Sequence, residues 1–273
     1  MSEIDLEQLA DAYERGLAHE RAGDVEAAVA AYQQALALDP EDRGGVSIRL
    51  AALGRGQTPR TAPPAYVATL FDQTAPRFDE ILVDQLGYAV PLMVRETLEA
   101  QGLRPGPRML DLGCGTGLAG IALADLVEEI TGVDLSEEML AEADERDCYD
   151  GLFVGDATAF LAAQDPSDAP YDLIVATDML PYMGALEELF AGLTRCLAPG
   201  GLVAVSTEAL APGHGDYRVG PGHRFAHGED YLRRCFTATG LTLRSIAPIV
   251  VRYNDGTPVP GHLAIGQAPG AAP

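Results

Sequence analysis

The chain has 273 residues, 47% of them apolar, enough for one large buried core and a small appendage. Its formal charge is −23, which disfavours long nucleic acid as a substrate because phosphate binding needs a basic surface. All 18 basic residues are arginine, so P-loop lysines, pyridoxal Schiff bases and lysine general bases are excluded.

The first residues, Met1-Ser2-Glu3-Ile4-Asp5, have neither the basic start nor the apolar run of a secretory signal. Leu6 to Arg21 predicts a helix, Gly23-Asp24 a turn, and Val25 to Leu38 a second helix stopped before Asp39-Pro40. Gly16, Gly23, Ala28, Tyr32, Ala35 and Pro40 stand at spacings that resemble one tetratricopeptide repeat. Ile48 to Leu53 predicts a further short helix. Residues 1–54 are therefore expected to form a small all-α helical hairpin. One repeat cannot bury its own apolar face, since such arrays need about three. It must pack on the rest of the chain or on another chain, which makes a protein partner one expectation. Residues 55–65, rich in Gly, Pro and polar side chains, read as a linker.

Tyr66 to Asp79 and Glu80 to Ala100 read as two helical segments. Phe71 and Phe78 lie seven apart, the spacing of one apolar helix face. Beyond them, strand and helix signals alternate, which predicts a parallel sheet with helices on both faces. The strands are placed near Arg108, Glu129, Leu152, Asp172 and Leu202, then over Leu241 to Tyr253 and His262 to Gln267. Asn254-Asp255-Gly256-Thr257-Pro258 reads as the turn of a closing hairpin. No stretch approaches the roughly 18–20 continuous apolar residues of a membrane helix. Residues 268–273 read as a frayed tail.

Met109-Leu110-Asp111-Leu112-Gly113-Cys114-Gly115-Thr116-Gly117 carries the most information. It reads as a buried strand breaking into three alternate glycines ahead of an apolar helix, Leu118 to Leu126. Glycines there let the backbone turn tightly and approach a ligand where a Cβ would collide. Nineteen residues past Gly115, the second strand ends in Asp134, a carboxylate suited to both hydroxyls of a ribose. The spacing differs from the dinucleotide pattern Gly-x-Gly-x-x-Gly, which disfavours a nicotinamide oxidoreductase. With Asp-Leu before it, the motif resembles that of class I S-adenosylmethionine (SAM)-dependent methyltransferases. Gly155-Asp156-Ala157, Tyr171 to Asp178 and Leu197 to Val205 resemble further motifs of that family, in its order, across roughly residues 71–267.

The resemblance implies a Rossmann-like, seven-stranded, mostly parallel sheet with its last strand antiparallel, over residues 66–267. It implies SAM as cofactor and S-adenosylhomocysteine (SAH) as product. Asp111 would orient the glycine loop and approach the SAM amino group, while Gly113, Gly115 and Gly117 let the backbone pass close. Asp134 would take the ribose hydroxyls, with Leu135 and Met139 on the adenine face. Asp156 would accept from the adenine amine beside Ala157, and Thr177 would line the methionine portion. Phe71-Asp72-Gln73-Thr74-Ala75-Pro76-Arg77-Phe78-Asp79 resembles a lid found before the first strand in many small-molecule members, in which Phe78 would close over SAM. Core packing is an equally simple reading of Leu135 and Met139, and an apolar helix face of Phe71 and Phe78.

On the substrate side, Thr177-Asp178-Met179-Leu180-Pro181-Tyr182 lacks the consecutive prolines of enzymes that methylate base amines. Asp178 and Tyr182 remain substrate candidates, with helix capping the alternative for Asp178. Glu208 to His227 reads as a long connection, and connections of that length are usually functional or disordered. Within it, Tyr217, Arg218 and Arg224 are candidates for an anionic substrate, and His223 or His227 for a general base. No metal site is expected, because the histidines lack supporting carboxylates at usable spacing. Cys114, Cys148, Cys196 and Cys235 form no Cys-x-x-Cys pair, which fits reduced thiols in a cytoplasm. The leading expectation is methyl transfer from SAM to oxygen or nitrogen of a small, anionic metabolite. Its rivals are a protein methyltransferase that docks through the repeat, and a SAM-binding scaffold without turnover.

Overall fold

The structure is a computed structural model that describes residues 6–165 and 170–270. The chain opens with α1 (Leu6–Ala22), α2 (Val25–Leu38) and α3 (Val46–Ala52). Asp24 caps α2 by accepting from Ala27 N at 3.2 Å. Gly16 exists for close approach: a Cβ there would sit 2.3 Å from the Tyr32 ring, which is fully buried between the two helices. Ala12, Ala28 and Ala35 complete this tight contact.

The repeat does not stand alone. Ile48 and Ala51 of α3 share one apolar cluster with Val67, Val219 and Phe225 of the main domain. Part of the helical segment's apolar surface is therefore covered by packing on the same chain, through α3. The segment read as a linker is tied down too. Ala62 N donates to Tyr182 O at 2.8 Å, and Gly184 N and Ala185 N donate to Arg60 O at 2.9 and 2.8 Å. Composition showed the polarity of this segment; it could not show that its backbone groups find partners 120 residues away.

The helical reading of residues 66–100 needs correcting. One α-helix, α4 (Pro64–Asp72), gives way to a 3₁₀ turn at Ala75–Arg77 and a π-helical turn at Glu80–Gln85, before α5 (Val90–Ala100). Pro76 and Pro91 lack the N–H needed to continue a helix, and Gly87 adopts φ +66°.

The α/β part then runs β1 (Arg108–Leu112), α6 (Leu118–Leu123), β2 (Glu129–Asp134), α7 (Glu137–Asp144), β3 (Gly151–Val154), α8 (Ala157–Ala163), β4 (Tyr171–Ala176), α9 (Glu187–Cys196) and β5 (Leu197–Ala209). After β5 come β6 (Tyr217–Val219), β7 (Phe225–His227), α10 (Glu229–Ala238), β8 (Thr242–Asn254) and β9 (Thr257–Gln267). The main sheet has seven strands in the order β3-β2-β1-β4-β5-β9-β8, with β9 antiparallel to its neighbours. Along β4 the alternation of a strand sends Ile174 and Ala176 to one face with α8, α9 and α10. Leu173 and Val175 go to the other, with α5 and α6.

Two differences bear on function. The connection 208–227 contains an antiparallel hairpin, β6 with β7, and β7 pairs with Glu208 and Ala209 at the far end of β5. Strands of three residues are too short to show a period in sequence. The tail is tied in at its start: Ala268 is buried and donates to Gly201 O at 2.9 Å. Residues 1–5 and 271–273, at the ends of the expected segments, lie outside the described residues. Among the described residues no helix is long and apolar enough to cross a membrane.

Ile48 of α3, 1% exposed, joins the N-terminal helices to the rest of the chain. Ile48→Ala should destabilise the chain by about 2–5 kcal/mol, the usual effect of emptying a buried aliphatic site. Urea denaturation followed by circular dichroism should show one transition shifted to lower urea. Two separated transitions would mean that the repeat folds independently.

Candidate functional site

The carboxyl ends of β1, β2 and β4 open into a cavity of about 270 Å³. The chain leaves β1 over the end of β2, with Gly113 N and Cys114 N both donating to Val133 O, at 2.8 and 3.1 Å. Gly113, Gly115 and Gly117 all adopt positive φ, 66°, 54° and 90°, which L side chains rarely take. At Gly115 a Cβ would meet only the Phe78 ring, at 3.9 Å, so this position faces open cavity. Asp134 closes the loop: Oδ2 accepts from Gly115 N at 2.9 Å and Oδ1 from Ser136 N at 2.9 Å. Burial pushes the Asp134 carboxyl upward, against these backbone bonds.

Asp111 lies behind the loop, wholly buried. Tyr149 OH donates to its Oδ2 at 2.7 Å, while Oδ1 has no partner. Burial raises its pKa to about 7, although the Tyr149 bond works in the other direction.

The lid segment covers the cavity and is latched twice. Asp72 Oδ1 accepts from Ser136 Oγ at 2.6 Å, at the start of α7. Asp79 Oδ1 accepts from Thr116 Oγ1 at 2.5 Å, and its other oxygen pairs with Arg146, whose Nε donates to Thr116 O. Both aspartates of the Phe-Asp…Phe-Asp motif thus hold the segment to the loops that line the cavity. Between them Phe78, Phe71 and Tyr182 make successive edge-on ring contacts, at 5.8 and 5.2 Å, across the roof.

The far end of the cavity is built around Asp178, which holds a left-handed φ of +59° just after β4. Its Oδ1 accepts from Arg224 Nη2 at 2.6 Å, with Arg252 Nη1 at 3.8 Å. Arg224 also donates to Tyr182 OH at 2.6 Å and to Glu208 Oε1 at 2.7 Å, and Arg252 donates to that same Glu208 oxygen at 2.7 Å. Two guanidinium groups face two carboxylates, so the cluster carries no net charge. Tyr88, buried beside Thr177 and hydrogen-bonded to it, lines the wall, and burial keeps its hydroxyl well above the usual phenol range.

Residues 109–201 match the methyltransferase domain family, and residues 10–42 match the tetratricopeptide repeat. The two matched segments thus resemble a methyltransferase domain and, ahead of it, one tetratricopeptide repeat. It is 34% identical over 150 residues to demethylmenaquinone methyltransferase of Beutenbergia cavernae, a match covering 55% of this chain and 60% of that one. It is 32% identical over 113 residues to ubiquinone biosynthesis O-methyltransferase of Burkholderia thailandensis, covering 40% and 48%. The chain thus spans less than two thirds of the length of either relative. Among solved structures, the magnesium protoporphyrin IX methyltransferase of Synechocystis PCC 6803 with bound SAH superposes with a TM-score of 0.54 at 18% identity, over 75% of this chain and 99% of that one. The cyclase SpnF shares the fold at a TM-score of 0.59 and 18% identity, over 75% and 96%.

The fold brings most of the residues expected to meet SAM to one cavity. Phe78, Gly113, Gly115, Asp134, Leu135, Asp156, Ala157 and Thr177 all line it. Asp156 also caps α8 by accepting from Ala159 N at 2.8 Å. The open space at Gly115, with a carboxylate at the end of β2 beside it, fits a nucleoside held by SAM. Asp111 and Gly117 do not line the cavity; Asp111 holds Tyr149, whose ring sits 3.0 Å from where a Gly117 Cβ would be. Met139 does not line it either, and is fully buried at the first turn of α7.

The substrate side departs further from expectation. Asp178, Tyr182 and Arg224 line the cavity, whereas Tyr217 and Arg218 do not. Tyr217 packs on Phe225 and Tyr231, and Arg218 is exposed. Asp178 does not cap the 3₁₀ turn that follows, whose N-cap is Met179. Neither histidine reaches the cavity. His223 pairs with Glu20 of α1 at 3.2 Å. His227 is fully buried between Thr207 Oγ1 and Gly184 O, and burial lowers its pKa to about 4. A general base at either position is not what the structure builds. Sequence reasoning missed Asp72, Asp79, Thr116, Tyr88, Glu208 and Arg252. The two lid aspartates were visible in the motif, but Glu208 and Arg252 are brought together only by the pairing of β5, β9 and β8.

The Asp111 carboxyl gives a pH signature. Its folded pKa, about 7, lies above the unfolded value of 3.8. The unfolded state therefore binds fewer protons between these values, and stability falls as pH rises from about 4 to 7, then levels. Asp111→Asn, which keeps an acceptor for Tyr149, should lack this fall. Urea titrations across pH 4–8 should show the two proteins diverging up to about 7 and running parallel above it; parallel curves throughout would contradict an elevated Asp111.

Proposed function

We propose that the domain transfers the methyl group of SAM to an oxygen or nitrogen of a small molecule enclosed between the lid and the Asp178 cluster. One observation carries the reading: the cavity that holds the glycine loop and Asp134 continues into an apolar chamber lined by Val67, Leu70, Phe71, Met179 and Met183. Bound SAM supplies a methyl already electrophilic on a sulfonium, so the protein's task is to bind, orient and exclude water. Asp134 would hold the ribose, Asp156 the adenine amine, and Thr177 the methionine portion. Phe78, latched through Asp79, would keep water from the methyl. Tyr88 stays protonated at neutral pH and can donate a hydrogen bond to the acceptor.

An anionic acceptor was the expectation from Arg218 and Arg224. The exposure of Arg218 and the balanced charge of the Arg224 cluster support instead an acceptor whose body is apolar and whose polar oxygens are few. The relatives' names, demethylmenaquinone methyltransferase and ubiquinone biosynthesis O-methyltransferase, support an aromatic acceptor of the quinol kind. Protein methylation is a second reading, favoured by the tetratricopeptide repeat. Against it stands the burial of α3 against this chain's own β6–β7 hairpin. The fold itself also serves a cyclase, so transfer has to be measured and not only binding.

Calorimetry should show SAH binding and no NAD binding. Asp134→Ala removes two backbone-tethering bonds and the proposed ribose contacts, and should weaken SAH at least about tenfold, roughly 1.4 kcal/mol. Incubation with methyl-tritiated SAM and a metabolite extract should put label in the organic-soluble small-molecule fraction. Label in protein would favour the second reading, and SAH binding without any transfer would favour a scaffold. NAD binding without SAH binding would overturn the assignment.

A further inference from the structure

The repeat and the far wall of the cavity meet at one side chain. Glu20, near the end of α1, uses both carboxylate oxygens. Oε2 accepts from Tyr32 OH of α2 and from Arg49 Nη1 of α3, the latter at 3.1 Å. Oε1 receives His223 Nε2, at 3.2 Å, from the turn between β6 and β7. His223 holds φ +59°, a left-handed conformation uncommon for a residue with a side chain. The turn is closed by His223 N to Gly220 O at 3.0 Å and Gly220 N to Arg224 O at 2.8 Å. The very next side chain, Arg224, reaches into the cavity and contacts Asp178, Tyr182 and Glu208. The next residue, Phe225, packs against Ile48 and Ala51 of α3, the helix that follows the repeat.

We propose that Glu20 is a positioning residue: through His223 it braces the β6–β7 turn so that Arg224 stays seated on Asp178 and Tyr182. The repeat then acts within the chain, as the outer support of the acceptor wall. The physical argument is local. A left-handed residue relaxes unless something holds it, and the tether that holds His223 comes from a different helical layer. Release of the tether lets the turn revert toward ordinary backbone angles, and the adjacent Arg224 is the side chain such a movement displaces. Arg224 is also held by its own three partners, so the change is a raised frequency of opening and not a collapse.

The inference rests on Arg224 forming the acceptor end of the proposed site, and its test does not need the acceptor. Phenylglyoxal, which reacts with accessible guanidinium groups, serves as the probe, with adducts located by peptide mass mapping. Asn and Gln at position 223 offer the same amide, but only Gln reaches as far as the histidine Nε2. His223→Asn should raise the trapping rate of Arg224 about fivefold, the effect of losing one ordinary hydrogen bond, and Glu20→Ala, which also loses its Tyr32 and Arg49 contacts, should raise it at least as much. His223→Gln should stay within about twofold of the parent chain, and His223→Asn leaves the contacts of Glu20 inside the repeat intact. Arg252, which shares Glu208 with Arg224, should be unchanged in all variants. Equal trapping of Arg224 in parent, Asn and Gln chains would overturn the proposal, as would Arg252 rising in parallel, which marks general loosening. SAH calorimetry on the same variants should give affinities within about twofold of the parent. A parent chain that binds no SAH would remove the methyltransferase reading, while the trapping result would still decide the brace.

Discussion

The hydrogen bond from Gly115 N to Asp134 Oδ2 is the contact on which the ligand side of this molecule turns. It joins the loop after β1 to the end of β2, and it requires a backbone at Gly115 that ordinary residues avoid. The next residue, Thr116, carries the latch to Asp79, and its carbonyl receives Arg146. The geometry of the loop therefore sets where the lid can close. Ser136 repeats the logic on the other side: its N donates to Asp134 and its hydroxyl to Asp72. One carboxylate at a strand end thus organises the loop, the helix start and both fastenings of the lid.

A chain of formal charge −23 has to manage the carboxylates it buries. It does so by giving nearly every one a defined set of donors. Asp134 takes backbone N–H groups, Asp72 a hydroxyl, Asp79 a hydroxyl and an arginine, and Asp178 and Glu208 share two arginines. Asp111 is the exception, with one oxygen unpartnered and a pKa raised to about 7. Unsatisfied polar atoms of this kind are rare in native interiors, and this one lies directly behind the glycine loop. Its burial costs stability, and the cost falls directly behind the glycine loop that borders the cavity.

How much could be read from sequence followed from the range of the signal. The glycine loop, Asp134 and Asp156 were legible because strand, turn and following residue lie within a few positions of one another. The repeat was legible because Gly16 and Tyr32 record their contact in residue size. Lid and hairpin were not. The lid breaks into 3₁₀ and π turns, so no single period runs through it, and β6 and β7 are too short to display one. The histidines misled because a cluster in sequence is not a cluster in space. His223 and His227 lie on one hairpin yet face Glu20 and Gly184 respectively. Arg252 carries no local mark at all. It reaches Glu208 because β8 and β5 both border β9, a juxtaposition set by sheet order 44 residues away in sequence.

The hairpin explains why the helical appendage and the α/β fold are one structure. β7 pairs with the last two residues of β5, beyond the point where β4 has ended, and so extends the sheet above the cavity mouth. A two-stranded ribbon is marginal in water unless something packs against it. Here the ribbon meets Ile48 and Ala51 of α3, which follows the repeat, and Val67 of α4. The other side of the requirement falls on the repeat, which cannot cover its own apolar face with a single copy. Each element supplies the surface that the other lacks. The lid helix is the third member of that contact, and Arg224 at the ribbon's edge is already in the cavity. Whatever shifts the packing of repeat on ribbon therefore acts at the same time on the roof of the cavity and on its far wall.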